Sequence, residues 1–366
     1  MIDLLLLSKD IPIARVIDNT IIIIDSSRLP LFLQRTGDVK SWLESRAIDE
    51  HRVNSRLLKR ALRLQNKDDL TTVLAMNAAT ITDNYWVKPL DDDSTKYSDI
   101  RFTENMFSDL ALKGDVNSFN QPPSKTPELT NIGSFEKCWK LEGHNWWMYK
   151  AGNVMELFSE LYAYKIGVAI GLSIAKYEAA GRYIRTKDFT ENGMVNFEPA
   201  VSLIGDKTNY IKIYEILKEV DEVIANDYTK MCYFDALIFN MDRHEYNFGI
   251  LRNSDTGEIL SLAPLFDHNI AMISRGYPKE KPNDILIHDF TELLHYIKKP
   301  ISIGYLTQSS FINIAREIPF KPPTEDNIVN PCVFIGDYLY QRQKVLKEQN
   351  KELLQYIKPK VKEISR

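Results

Sequence analysis

Ser254-Asp255-Thr256-Gly257 is a strong turn sequence between two apolar runs, and it forces the chain to fold back on itself. Phe248–Asn253 reads as the outgoing strand and Glu258–Phe266 as the returning one. The hairpin places Asn247 and Asp267 side by side at its open end, to within about one or two residues of register. Just ahead lies Tyr233–Phe239, an apolar run that reads as buried helix and delivers Asp242, Arg243, His244 and Glu245 to the same junction. A solvated surface turn is the plain explanation of so many polar residues. Asp242, Asn247 and Asp267, arriving from separate segments, suit a reaction centre better.

Kinase chemistry needs such a convergence. One Asp accepts or orients the proton of the attacking hydroxyl, an Asn five residues later reaches a magnesium ion, and a second Asp ends a hairpin and holds the metal against the phosphates. Asp242 and Asn247 have that spacing and Asp267 has that position. The spacing alone is weakly specific; with the hairpin it is moderately so.

The upstream half offers an independent test. Ser134–Lys140 and Trp146–Lys150 read as two strands around a Glu142-Gly143-His144-Asn145 turn, followed by a helix over Val154–Gly171. Gly133 and Ser134 open the first strand, where backbone amides can cover phosphates, and Lys150 ends the second. Glu156 and Glu160 share a face of the helix; Glu160, deeper in it, is the better partner for Lys150, and Glu156 suits the first-turn dipole. Loop, Lys, Glu, Asp, Asn, Asp is the order a kinase requires. Taken singly, Gly133 is a turn, Lys150 a solvated strand end, and His244 and His268 structural histidines; it is their order that favours the functional reading. One ring of Trp146-Trp147 belongs to the core, and the other is a candidate wall of a nucleotide pocket.

The chain has 366 residues, 44% hydrophobic and 26% charged, with a net charge of −4. That is an ordinary globular composition with no global basic surface, so neither direct nucleic-acid binding nor a membrane-binding face is predicted. Three scattered cysteines, Cys138, Cys232 and Cys332, fit a reducing cytoplasm rather than a disulfide framework. MIDLLLLSKD lacks the charge and length of a signal peptide, and Ile21–Ile24 is too short to span a bilayer. Residues 1–25 read as two or three strands, and 38–78 as amphipathic helices capped by Asp38 and Asp68. Thr82–Pro89 has no evident role. NSFNQPPSKTPE, residues 117–128, is the clearest linker. Beyond the helix, 174–186 and 194–203 read as strands; 210–224, 228–240, 289–298, 308–317 and about 332–357 read as helices. The predicted fold is α+β: an N-terminal α+β region over 1–117, a strand-rich lobe over 118–205 and a helical lobe over 206–366.

Asn240-Met241-Asp242-Arg243-His244-Glu245-Tyr246-Asn247-Phe248 with Leu262-Ala263-Pro264-Leu265-Phe266-Asp267 resembles the HipA-like kinase family, which includes persistence toxins and CtkA-type kinases. Gly133-Ser134-Phe135-Glu136-Lys137 is similar to its phosphate loop, Tyr149-Lys150 to its nucleotide lysine and Ser159-Glu160 to its helix glutamate. The match covers about 128–300 well and the N-terminal 120 residues poorly. The resemblance implies a two-lobed protein-kinase-like fold, ATP and Mg2+ as cofactors, a Ser/Thr protein substrate of unknown identity, and a separate antitoxin as a candidate partner. It also implies autophosphorylation in the phosphate loop, at Thr130 or Ser134. A phosphate there adds about −1.5 to −2 charges where the nucleotide phosphates bind, which would switch the enzyme off. Asp242 would be the catalytic base, Asn247 and Asp267 the metal ligands, and Arg243 and His244 the supports of the loop. The chain departs from the pattern at Tyr246, bulky where a basic residue would help to neutralise the transferring phosphate, and at His268-Asn269, which stand where eukaryotic kinases carry Phe-Gly.

Three other readings compete. A metal-dependent phosphohydrolase would use Asp242, His244, Asp267 and His268 but leaves Lys150 and Gly133 without a task. A catalytically silent nucleotide-binding module would not need the full catalytic set. A lipid kinase would need a basic amphipathic helix, which the sequence lacks.

Overall fold

The computed structural model describes residues 2–48, 55–61, 64, 67–103, 111–112, 125–131, 136–207, 209–279 and 284–358. Gly133, Ser134 and most of the 117–128 linker lie outside them. The fold is mixed α+β and falls into two compact units: Met1–Ala151 with Arg182–Leu203 and Gly249–Leu260, and Gly152–Gly181 with Ile204–Phe248 and Ser261–Arg366.

In the first unit, Leu4–Ser8 lies between Ile11–Ile17 and Tyr85–Lys88, antiparallel to both, and Thr20–Ile23 forms the edge beside Ile11–Ile17. Asp18 and Asn19 join the last two strands with φ of 50° and 65°. Two left-handed residues make the hairpin turn whose twist matches the strands, and Asp and Asn tolerate that conformation best. Leu4, Leu6, Ala14 and Val16 pack against Trp42, Leu43 and Val73 from the helices Val39–Glu44 and Asp69–Ala75. As expected, Asp38 and Asp68 cap these helices, accepting the backbone N–H groups of Ser41 and Thr71.

The unexplained stretch 82–89 contains the strand Tyr85–Lys88, which belongs to this sheet. Trp86 points into a second cluster with Trp139 and Trp146, from the hairpin of Lys137–Glu142 and Asn145–Lys150. Trp146 is therefore core. Trp147 takes the opposite face, where the Arg185 guanidinium stacks 4.3 Å from its ring. Strand alternation puts it on the other side of the sheet from Lys150, so it lines no pocket that Lys150 faces.

The expected strand 174–186 is two strands, Tyr177–Ala180 and Tyr183–Lys187, because Gly181 with φ of 64° turns the chain between them. The expected strand 194–203 is shorter: Val195–Pro199 pairs with Gly249–Asn253, and a helical turn follows at Val201–Ile204. One buried arginine ties the first unit together. Arg252 pairs with Glu198 and donates to the carbonyls of Ser27, Leu29 and Gly257; Glu198 also accepts from Tyr85 Oη and Leu31 N.

The second unit is mainly helical. Val154–Ala169 starts at Asn153 in a reciprocal capping arrangement with Glu156, which gives Glu156 the first-turn role expected of it. Gly167 lets this helix approach its neighbour: a Cβ there would come within 2.7 Å of Ile174 Cδ1 and 3.4 Å of Phe234. Tyr210–Val220, Glu222–Ile238, Ile285–Ile297, Gln308–Glu317 and Pro331–Gln349 are the other long helices. The last was expected to run to about 357. It ends at Gln349, and Leu354–Ile357 becomes a strand parallel to Ile301–Gly304. Asn350 closes the helix, donating to Leu346 O and accepting from Leu354 N.

Candidate active site

The Glu222–Ile238 helix ends on Phe239, held in the left-handed region with φ of 55°. A bulky residue adopts that conformation only when its surroundings impose it. Here Arg342, fully buried, donates to the terminal carbonyls of Ala236 and Leu237, pairs with Asp284 and stacks 4.9 Å over the Phe239 ring. The helix end that launches the Asp242 loop is thereby fixed. Nothing in the sequence near Arg342 marks this role, because these partners lie 58 to 106 positions away.

Inside the loop, hydrogen bonds run in a closed set. Asn240 Nδ2 donates to Asp235 at 2.7 Å, His244 N to Asp242 O at 3.0 Å, and Asn247 N to His244 O at 2.9 Å. Asn247 Nδ2 donates to Asp242 O at 2.9 Å. One N–H of its amide is thus used within the loop, and its Oδ1 is the side chain's oxygen ligand.

Arg243 joins this loop to the returning chain. Its guanidinium pairs with Asp235, with Nε 2.9 Å and Nη2 3.0 Å from the carboxylate. Nη1 donates to Asn247 O and, at 2.8 Å, to Phe266 O. Those carbonyls belong to Asn247 itself and to the residue before Asp267, so one buried cation sets both positions. Burial works against the charge of Arg243, but Asp235 outweighs it and raises the arginine's pKa.

Asp267 follows in the left-handed region, φ 62°, with its N–H 3.3 Å from Tyr177 Oη. The next N–H, of His268, donates to Glu160 Oε1 at 2.8 Å. Glu160 is fully buried, so the helix glutamate anchors the Asp267 turn directly. His268 is also fully buried, its Nδ1 3.6 Å from Glu160 and its ring edge-on to Phe234; burial lowers its pKa and keeps it neutral. Asp242 is half-buried. Burial raises its carboxyl pKa and the charge of Asp267 adds to this, against His244, Arg275 and Arg243. The second unit therefore gathers Asp242, Asn247, Asp267, Arg243, His244 and Glu160 in one region.

In overall fold the chain is HipA-like. The solved HipA of the Shewanella oneidensis MR-1 HipA–HipB toxin–antitoxin system, in complex with its operator DNA, matches with a TM-score of 0.54 over 94% of this chain and 97% of that one. Identity is 13%, so the likeness is one of fold. The Helicobacter pylori proinflammatory kinase CtkA matches at 17% identity over 58% of this chain and 90% of its own, with a TM-score of 0.43. No family model and no curated protein matches.

Lys150 ends its strand in the first unit, buried, and directly opposite Lys137 in the register. Thr130, an expected autophosphorylation site, is buried there too, its hydroxyl donating to Ala79 O at 2.7 Å. Among the described residues no helix is long and apolar enough to cross a membrane. Sequence reasoning missed Asp235 and Arg342; Asp235 was readable in principle, as a carboxylate inside an apolar helical run that demands a buried cation.

Proposed function

We propose that this chain is an ATP- and Mg2+-dependent serine/threonine protein kinase of the HipA-like type. The observation that carries the reading is Arg243, which ties Asn247 and the residue before Asp267 to one buried guanidinium beside Asp242. That arrangement prepares three oxygen-bearing side chains, as phosphoryl transfer requires.

The donor set fits a hard divalent cation. Asn247 offers Oδ1, and Asp267 and Asp242 are close enough for the charge of one to raise the other. Asn247 and Asp267 would hold magnesium, which supplies charge neutralisation to the phosphate oxygens. Asp242 would accept the proton of the acceptor hydroxyl, and its raised pKa makes it a better base. Lys150 would hold phosphate oxygens, and its cross-strand neighbour Lys137 adds positive charge at the same end of the sheet. Glu160 would orient Lys150 in addition to anchoring the Asp267 turn. Gly133 and Ser134 would cover the phosphates. The chain would then divide as an N-terminal region over 1–117 and two kinase lobes over 118–205 and 206–366.

Autophosphorylation at Thr130 would have to break its bond to Ala79 and bring it out of the core; Ser134 is the alternative acceptor. A separate antitoxin, of the kind that accompanies the Shewanella HipA, is a candidate partner, and a cytoplasmic setting fits that role. The phosphohydrolase reading is weakened by His268, whose ring is fully buried and packed edge-on against Phe234.

Incubation of the pure chain with labelled ATP and magnesium, followed by mass spectrometry, tests the reading. Phosphate on Thr130, Ser134 or an added protein supports it, provided that Asp242→Asn abolishes the signal. Nucleotide binding with no transfer to any acceptor would favour the silent module.

A further inference from the structure

The proposed catalytic loop carries Tyr246 where a cation beside the transferring phosphoryl group would be useful. Arg243 cannot supply it: its side chain is 3% exposed, and its donors are engaged by Asp235, Asn247 O and Phe266 O. His244 accepts the Tyr246 N–H at Nδ1, 3.2 Å away, which ties that ring to the loop.

A second segment is tied to the same helix end. Met272 N donates to Ile238 O at 3.0 Å and to Phe239 O at 3.3 Å, so the chain after Asp267 is fixed to the end of the helix that launches the loop. Met272, like Phe239, is in the left-handed region, with φ of 53°. Ala271 O is held by Ser159 Oγ at 2.9 Å, and the following turns close through Ser274 N to Ala271 O and Gly276 N to Ile273 O. Asp242 stands three residues beyond Phe239, and Arg275 three residues beyond Met272. Two short, tethered segments therefore leave one anchor, one ending on the carboxylate and the other on an exposed guanidinium. The charge of Arg275 is felt at the Asp242 carboxyl.

We infer that Arg275 is a catalytic residue that binds the transferring phosphoryl group in place of the cation missing at Tyr246. This rests on the kinase reading. Its planar fork of donors matches phosphate oxygens, and the turn that carries it is fastened at Ala271 and Met272. Most of the stabilisation would act as charge spreads over the phosphoryl oxygens, so the loss of Arg275 should appear in kcat and not in ATP binding.

The experiment measures kcat and the KM for ATP with the full chain, its magnesium and the best acceptor found, in Arg275→Ala, Arg275→Gln and the double variant Arg275→Ala/Tyr246→Lys. The expected result is a fall in kcat of about 100-fold in both single variants with an unchanged KM and unfolding temperature, and recovery of about tenfold in the double variant. Unchanged kcat in a working native enzyme overturns the inference and leaves the kinase reading standing. So does a loss confined to KM, or a loss that Tyr246→Lys does not relieve. A native chain with no phosphotransfer overturns both.

Discussion

Arg243 and Arg252 are alike by every local measure, and they do different work. Each is a buried guanidinium paired with a buried carboxylate, Asp235 for one and Glu198 for the other, and each donates to backbone carbonyls from separate segments. Arg252 gathers Ser27, Leu29 and Gly257, none of which belongs to the candidate reaction centre. Arg243 gathers Asn247 and Phe266, and so sets an amide and a carboxylate next to Asp242. A buried ion pair is weak evidence of stability and ambiguous evidence of function. What separates the two is the identity of the residues whose backbone each one holds.

The comparison breaks first at the chemistry. Asp242→Asn or Asp267→Asn should lower phosphotransfer by about 1000-fold or more, with the unfolding temperature essentially unchanged, as read by labelled-ATP transfer and thermal melting. Equal transfer by either variant would remove the reaction centre from this loop. Next come the arginines. Arg243→Ala and Arg252→Ala should each cost about 3–5 kcal/mol in denaturant titration, because each strands a buried carboxylate. Per folded molecule, only Arg243→Ala should also lose phosphotransfer; similar activity losses in both would erase the distinction.

A pH titration sharpens the contrast between the two centres. His268 is buried and neutral with its pKa lowered, so the unfolded chain binds more protons than the folded one below the ordinary histidine value. Its contribution is complete above about pH 6.5 and is lost as the pH falls below it. His268→Gln should flatten that part of the stability curve, whereas Arg252→Ala should add a pH dependence of its own, because burial pushes up the carboxyl of Glu198 and Arg252 no longer opposes it. The smallest effect belongs to the N-caps. Asp38→Ala and Asp68→Ala should each cost about 1 kcal/mol and leave activity per folded molecule intact.

Legibility followed distance along the chain. Asp38, Asp68 and the Asp18-Asn19 turn could be read because each acts within a few residues of itself. The hairpin around Ser254–Gly257 was equally local, and with it came the approach of Asn247 to Asp267. Trp146 and Trp147 could be assigned to opposite faces by alternation, but which face was core depended on Trp86 and Trp139. The strand Tyr85–Lys88 passed unrecognised because its partner, Leu4–Ser8, is far away in sequence. The strand Leu354–Ile357 was merged into a helix for the same reason.

By itself the sequence determined the α+β class, the caps and turns, and the order of chemical residues from Lys150 to Asp267. Periodicity and turn chemistry are short-range, and they encode these directly. Only the tertiary structure decided what holds that order in place: Asp235 and Arg243 across the loop, Arg342 on the helix end, and Glu160 under the Asp267 turn. Each is a buried polar group whose partner must be found across the fold, because leaving it unpaired inside the protein would cost more than the contact gains.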